Sequence, residues 1–288
     1  MDRRYTDRKK ATTRPDRGGQ KHPRQASAPA DTYGAYGARE NEIGHGAVIG
    51  RNAVRELLRS GRAVDKILVQ SGEREGALVP LVSEAISRGI PVVEPERRKM
   101  DALSGRAPHQ GIIAMAAEKE YCSIEDILTI ARERGEKPLV VVADGIADPY
   151  NLGAVIRCAE GCGAHGLIIP KRHAAGLSPV VSKASAGAIE HLAIAKVPNI
   201  AAALETLKDE GLWIFAADAD GQNLYDTDLN TAAASVLGSE GDGVSELVRQ
   251  RSDLVVSIPM YGKVNSFNVS TAAAVQLCAA ARQQRTAK

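Results

Sequence analysis

Six short apolar segments between residues 138 and 259 constrain this chain more than anything else in it. They read PLVVVAD, GLIIP, HLAIAKV, LWIFAAD, ASVLG and DLVVSIP. Each is too short for a buried helix and rich in β-branched residues, and helical segments lie between them. A strand apolar at every position has no face for water, so it belongs in a parallel sheet covered by helices on both sides. An alanine-rich helix follows the last segment. Aromatic residues are only 3% of the chain, so the cores rest on Val, Ile, Leu and Ala. In open sheets of this kind ligands bind outside the carboxyl ends of the strands, which directs attention to three loops.

The rest of the 288 residues divides into three parts. Residues 43–117 form a smaller α/β unit. AVIGRNAVRELLRSG places Val48, Val54, Leu57 and Leu58 in one helical stripe closed by Gly61. DKILVQ, IPVVE and GIIAMAA are strands, and ALVPLVSEAISRG and PERRKMDALSG are helices. This unit has no glycine-rich phosphate loop and reads as a binding module. Residues 118–137 are charged and partly helical and are taken as a linker to the domain at 138–288. Residues 1–42 have almost no aliphatic side chains and cannot bury a core, so they are expected to be disordered.

The net charge of +2 hides an asymmetry. Residues 1–25 hold nine Lys/Arg against three Asp, a surplus of six, so the remainder carries −4. A basic arm on a mildly acidic body suits a polyanion such as nucleic acid; the alternative is a solvated extension. No apolar run is long enough to span a bilayer and the N-terminus lacks a secretory pattern, so a cytoplasmic location is the default expectation. Cys122, Cys158, Cys162 and Cys278 have no metal-ligand spacing and no nearby histidine, and read as buried free thiols. No metal site is expected.

The first of the three loops, DGIADPYNLGAVIRCAEGCGAHG, leads into a helix with Asn151 as its N-cap and Leu152, Val155, Ile156 and Ala159 as its apolar stripe; Arg157 lies off that stripe. The second, VLGSEGDGVSELV, puts Gly238, Gly241 and Gly243 around Glu240 after a buried strand. Glycines there let a ligand approach the backbone. Their spacing is neither the dinucleotide fingerprint nor a P-loop, so a nicotinamide or ATP enzyme is poorly supported. The third, KVNSFNVSTAAAV, crowds Asn265, Ser266, Asn268 and Ser270 before a helix that needs only one of them as a cap. Each residue alone has an ordinary structural explanation. Together, on strand ends of one sheet, they suggest a site.

In this order NLGAVIRCAE, LGSEGDGVSELV…DLVVSIPM and SFNVSTAAAV resemble the three motifs of the SpoU (TrmH-like) RNA ribose 2′-O-methyltransferases of the SPOUT class. The resemblance covers residues 45–288 and is closest to the bacterial 23S rRNA guanosine branch, whose L30e-like RNA-binding domain residues 43–117 resemble; His109-Gln110-Gly111 fits that branch too. It implies a trefoil-knotted C-terminal domain, a homodimer, and S-adenosylmethionine held by backbone at Gly238, Ile258 and Phe267. Phe267 stands where the family usually has Leu. The implied catalytic set is Asn151, Arg157, Glu240, Ser266 and Asn268. Glu240 would orient Arg157 or Asn151, and Ser266 and Asn268 would line cofactor and ribose. The expected partner is RNA, first of all 23S rRNA. The same chemistry on tRNA or another rRNA nucleotide, and an inactive RNA-binding relative, are the alternatives.

Overall fold

The computed structural model describes residues 46–72 and 76–286. The basic arm at 1–42 lies outside the described residues. The first unit begins with strand β1 (Ala47–Ile49), followed by helix α1 (Arg51–Ser60), β2 (Val64–Val69), α2 (Val79–Ser87), β3 (Val92–Val93), α3 (Arg97–Leu103) and β4 (Ile112–Ala116). Its sheet runs β1-β4-β2-β3. β4 is antiparallel to both β1 and β2, and β3 is parallel to β2.

Val48 is therefore not in the helical stripe that the sequence suggested. It pairs with Ala114 in β1. Gly50, at φ 98° and ψ 158°, ends the strand in a conformation closed to other residues, and only then does α1 start. Gly50 offers no capping side chain; Gln110 supplies it from across the sheet, its Oε1 accepting from the Arg51 N–H at 3.0 Å. His109 is fixed beside it, Nδ1 accepting from the Gly111 N–H at 3.1 Å and Nε2 lying 3.2 Å from Asp101 Oδ1. Strand alternation sends Val48, Ile67, Val69, Ile112 and Ala114 to the side covered by α1 and α2. Ala47, Ile49, Leu68 and Ile113 go to the side covered by Met100 of α3.

The stretch taken as a linker carries α4 (Ile124–Arg134), which belongs to the second core. Ser123 and Asp126 cap it reciprocally, the Ser123 N–H donating to Asp126 Oδ2 at 2.8 Å and the Asp126 N–H to Ser123 Oγ at 3.1 Å. Ile127 and Leu128 pack under the second sheet. That sheet comprises β5 (Leu139–Asp144), β6 (Gly166–Pro170), β7 (Ala193–Val197), β8 (Trp213–Asn223), β9 (Ala233–Gly238) and β10 (Leu254–Ser257). All six are parallel, in the order β10-β8-β9-β5-β6-β7. The chain walks outward from β5 to β7, returns to the other side for β8, and fills the gap with β9. The strand order thus reverses between β5 and β9, which opens a crevice at their C-terminal ends.

The expected two-sided covering is present. Val141, Ala143, Leu167, Ile169, Phe215 and Leu237 face α5 (Pro149–Gly161) and α9 (Val269–Thr286). Val140, Val142, Ile168, Ile214 and Val236 face α4, α7 (Ile200–Asp209) and α8 (Glu246–Gln250). The remaining helix, α6 (Pro179–Ala184), joins the units: its Val180 packs against the β1–β4 face that α3 covers. Nearby, Arg62 Nη2 lies 3.2 Å from the buried Glu190 carboxylate, and Glu56 lies 2.9 Å from His191. Burial raises the Glu190 carboxyl above its usual range, with Arg62 and then Lys119 acting against that rise. All four cysteines are free, but Cys278 is exposed and the other three are only half-buried. The Cys162 and Cys278 sulfurs lie 3.3 Å apart, and burial with the neighbouring Cys278 pushes the Cys162 thiol up to about 12. Among the described residues no helix is long and apolar enough to cross a membrane.

Candidate active site

The loop after β9 is closed at its base. The Ser239 N–H donates to Gly243 O at 3.0 Å and the Gly243 N–H to Ser239 O at 3.1 Å. This pinch brings residues 243–244 against Gly238 so closely that a Cβ there would stand 1.9 Å from the Gly243 carbonyl carbon. Only glycine fits at 238. The pinch also pushes Glu240 and Gly241 out into solvent. The Ser245 N–H donates to Asp144 Oδ2 at 2.8 Å, tying the far end of the loop to β5.

Glu240 meets the start of α5. The N-cap of that helix is Asp148, not Asn151: Asp148 Oδ1 accepts from the Tyr150 N–H at 2.9 Å and Pro149 takes the first helical position. Asn151, one turn in, is thereby released from capping, and its Nδ2 donates to Glu240 Oε1. The third loop completes the set. Asn268 Oδ1 accepts from both the N–H of Ser270 at 2.9 Å and its hydroxyl at 2.6 Å, which caps α9. That fixes the amide so that Nδ2 donates to Asn151 Oδ1 at 3.1 Å. A polarised chain results, Ser270 to Asn268 to Asn151 to the Glu240 carboxylate, linking three loops that are far apart in sequence. One residue, Asn268, both caps its helix and enters the network.

Beside this network lies a cavity of about 540 Å³, within the ~300–1,000 Å³ usual for small-molecule and cofactor sites. Gly238, Ile258 and Phe267 line it, with Glu240, Ser266 and Asn268 at its mouth. Asn151 and Arg157 do not line it. Arg157 is exposed, six residues beyond Asn151 on α5, about 9 Å along the helix axis. It has no hydrogen bond or ion pair among the described residues, and of the expected catalytic residues it alone is in neither the network nor the cavity lining; Ser266 lines the cavity without joining the network.

One wall was missed in the sequence. β8 does not end at Asp218 but continues to Asn223, and its pairing with β10 jumps from Val255–Ala216 to Val256–Gln222. The residues skipped by the ladder bulge outward, and Ala217, Asp218 and Ala219 line the cavity. Arg249 of α8 holds the bulge, reaching Asp218 at 2.9 Å and Asp220 at 2.8 Å. Hydrogen bonding to Arg249 is the first cause that keeps the Asp220 carboxyl below its ordinary range. The cluster D-A-D-G directly after an apolar strand was the available signal. Asn265 and Met260 also line the cavity.

The donor set suits a cofactor that carries both a planar apolar ring and positive charge. Leu237, Val256, Ile258 and Phe267 supply apolar wall, Gly238 leaves the backbone bare, and Asp218, Glu240 and Asp242 supply negative charge.

Comparison with known proteins points to one family. Residues 138–278 match the SpoU rRNA Methylase family, and residues 47–122 match the RNA 2′-O ribose methyltransferase substrate-binding family. A protein of Bacillus subtilis named as a TrmH family tRNA/rRNA methyltransferase, YacO, is 40% identical over 230 residues, covering 80% of this chain and 92% of the relative. A Staphylococcus saprophyticus protein named for the same family is 38% identical over 231 residues, with 80% and 92% covered. Among solved structures, the SpoU methyltransferase AviRb of Streptomyces viridochromogenes, crystallised with AdoMet, superposes with a TM-score of 0.71 at 23% identity, covering 86% of this chain and 97% of that one. A structure described as an RNA 2′-O ribose methyltransferase gives 0.68 at 25% identity, with 82% and 88% covered.

Proposed function

The chain belongs to the SpoU (TrmH-like) family of RNA methyltransferases, and we propose that it methylates a ribose 2′-OH of structured RNA using S-adenosylmethionine. The observation that carries this reading is the Asn268–Asn151–Glu240 network at the mouth of a cavity whose Gly238 admits no side chain. When bound, the cofactor supplies an electrophilic methyl group on a sulfonium. Gly238, Ile258 and Phe267 would hold it through their backbone, with the acidic rim facing its positive charge. No metal is assigned.

The chain's own task is to manage a weak nucleophile. Glu240 holds Asn151, and Asn151 with Ser266 and Asn268 presents amide and hydroxyl groups to the ribose. Arg157, exposed and unpaired among the described residues, is free to bind a substrate phosphate and the developing oxyanion. A guanidinium is normally protonated, so this electrostatic role is preferred to proton abstraction by Arg157, and the 2′-OH proton is given up to solvent water.

The substrate we favour is a guanosine of 23S rRNA in the cytoplasm, because an RNA-substrate-binding unit precedes the methyltransferase domain. We assign residues 1–42 to a basic tail, 43–117 to an L30e-like substrate-binding domain, 118–137 to a connector whose helix α4 packs into the core of the domain that follows, and 138–288 to the methyltransferase domain. A trefoil knot is supported by the course of the chain: β10 is at the sheet edge, yet α9 returns to pack on α5 and β9. A homodimer is supported by Tyr261, 94% exposed, and Val264, 68% exposed, beside the site. A map of 2′-O-methylation in rRNA and tRNA, with and without the gene, tests the substrate. A site lost from tRNA instead of 23S rRNA overturns that assignment.

A further inference from the structure

Helix α3 does little for the core of its unit: among its seven residues only Met100 is buried, and Leu103 is half-buried. Its outer side carries Arg97, Arg98 and Lys99, all exposed. The chain leaves the helix through two consecutive left-handed residues, Gly105 at φ 57° and Arg106 at φ 62°. The second is a conformation that a residue with a side chain adopts only at a cost. The turn is held by the Arg106 N–H donating to Asp101 O at 2.8 Å. It sets Arg106 beside the helix, where Arg97, Arg98, Asp101, Ala102 and Arg106 line a cavity of about 460 Å³.

Three arginines and one carboxylate thus line the same cavity. That carboxylate is already engaged by His109 at 3.2 Å and lies 3.8 Å from Arg97 Nε. Arg98 and Arg106 have no side-chain partner among the described residues. Glu94 and Glu96 precede the helix but are not in the lining. A surplus of guanidinium donors around an open cavity matches the oxygens of a phosphate group.

The position favours a polymer over a free phosphate. Val180 of α6 packs on the same face of the first sheet as α3. α6 follows the β6 loop, where Lys171, Arg172 and His173 are exposed. In that loop His173 O faces Gly145, as does the Ser239 side chain of the cofactor loop. Positive side chains therefore flank both the substrate unit and the edge at which the methyltransferase cavity opens.

We propose that Arg97, Arg98 and Arg106 form a clamp for a phosphodiester of the substrate RNA, registering the strand without reading its bases. This rests on the RNA-methyltransferase reading above. The test uses the full chain with a 23S rRNA transcript, measured by filter binding over a range of salt. For the combined Arg97→Gln, Arg98→Gln, Arg106→Gln variant the expected result is about a tenfold or greater loss of affinity and a salt slope shallower by about two to three. S-adenosylmethionine binding by calorimetry should be unchanged. Arg106→Gly alone should melt higher, because strain is relieved, yet bind RNA more weakly; a merely structural role for Arg106 predicts no such split. Wild-type affinity and slope in the triple variant would overturn the clamp. A wild-type chain that binds the cofactor but no RNA would instead overturn the substrate reading on which the clamp rests.

Discussion

Substituting alanine for Gly238 tests the cofactor cavity at its tightest point. The added Cβ would lie 1.9 Å from the Gly243 carbonyl carbon, 2.1 Å from the Val244 nitrogen and 2.2 Å from the Gly243 oxygen. All three are backbone atoms and cannot swing aside. Bringing the nearest to even 3.0 Å requires a shift of about 1 Å, which stretches the Ser239–Gly243 pair of hydrogen bonds, now 3.0 and 3.1 Å, beyond bonding range. Two lost bonds at ~1 kcal/mol each, with the low end of the ~1–3 kcal/mol typical of overpacking, give about 3 kcal/mol. If binding must restore the closed loop, S-adenosylmethionine affinity falls about 100-fold. Calorimetry measures it, with circular dichroism to establish that the variant is folded. Gly241 and Gly243 are the internal controls, since a Cβ at either has no atom within 4 Å. Gly241→Ala should bind as wild type. Gly243→Ala, at φ +68°, should lose only several-fold for ~1 kcal/mol of backbone strain. Wild-type affinity in Gly238→Ala, or equal damage in Gly241→Ala, would mean that the close approach at Gly238 does not shape the cofactor cavity.

Three other outcomes are expected. Arg157→Ala should lose turnover by ~10²–10³-fold while Arg157→Lys keeps a measurable part of it, both with wild-type cofactor affinity because Arg157 lies outside the cavity; single-turnover rates check this, and a lysine variant as inactive as alanine contradicts a simple cationic role. Arg249→Gln should weaken cofactor binding by releasing the Asp218–Asp220 wall, and raising the salt in calorimetry should bring the wild type toward the variant. Burial lowers the pKa of His165, whose Nδ1 accepts from the Leu139 N–H at 3.0 Å, although Glu136 opposes that shift. The unfolded chain then takes up the proton first, so stability is fully present above the unfolded value of about 6.5 and declines as pH falls through it toward the folded value. Thermal melts between about pH 7.5 and 5.5 should show a smaller decline in His165→Gln than in wild type.

The second sheet was legible because each of its strands is apolar on both faces, a pattern that admits few other folds. GLIIP coincides with β6 to the residue. β1 was not legible: three apolar residues running straight into a helix look like its first turn, and only pairing with β4 distinguishes them. The extension of β8 was hidden because DADGQN is polar, and its strand character comes from the ladder to β10 rather than from burial. The cap of α5 could have been read correctly, since proline at the first helical position points to the preceding Asp148. That Asn151, Glu240 and Asn268 touch depends on contacts across 89 and 117 residues, beyond any local pattern. Their residue types were visible; their union was visible only through the family's motifs.

Methyl transfer to a ribose oxygen is directly measurable. Purified protein incubated with methyl-labelled S-adenosylmethionine and rRNA, followed by digestion to nucleosides and mass spectrometry, tests it most directly. Label is expected in a 2′-O-methylnucleoside and should be abolished by Asn151→Ala. Label on a base, or none from a chain that binds both cofactor and RNA, would contradict it.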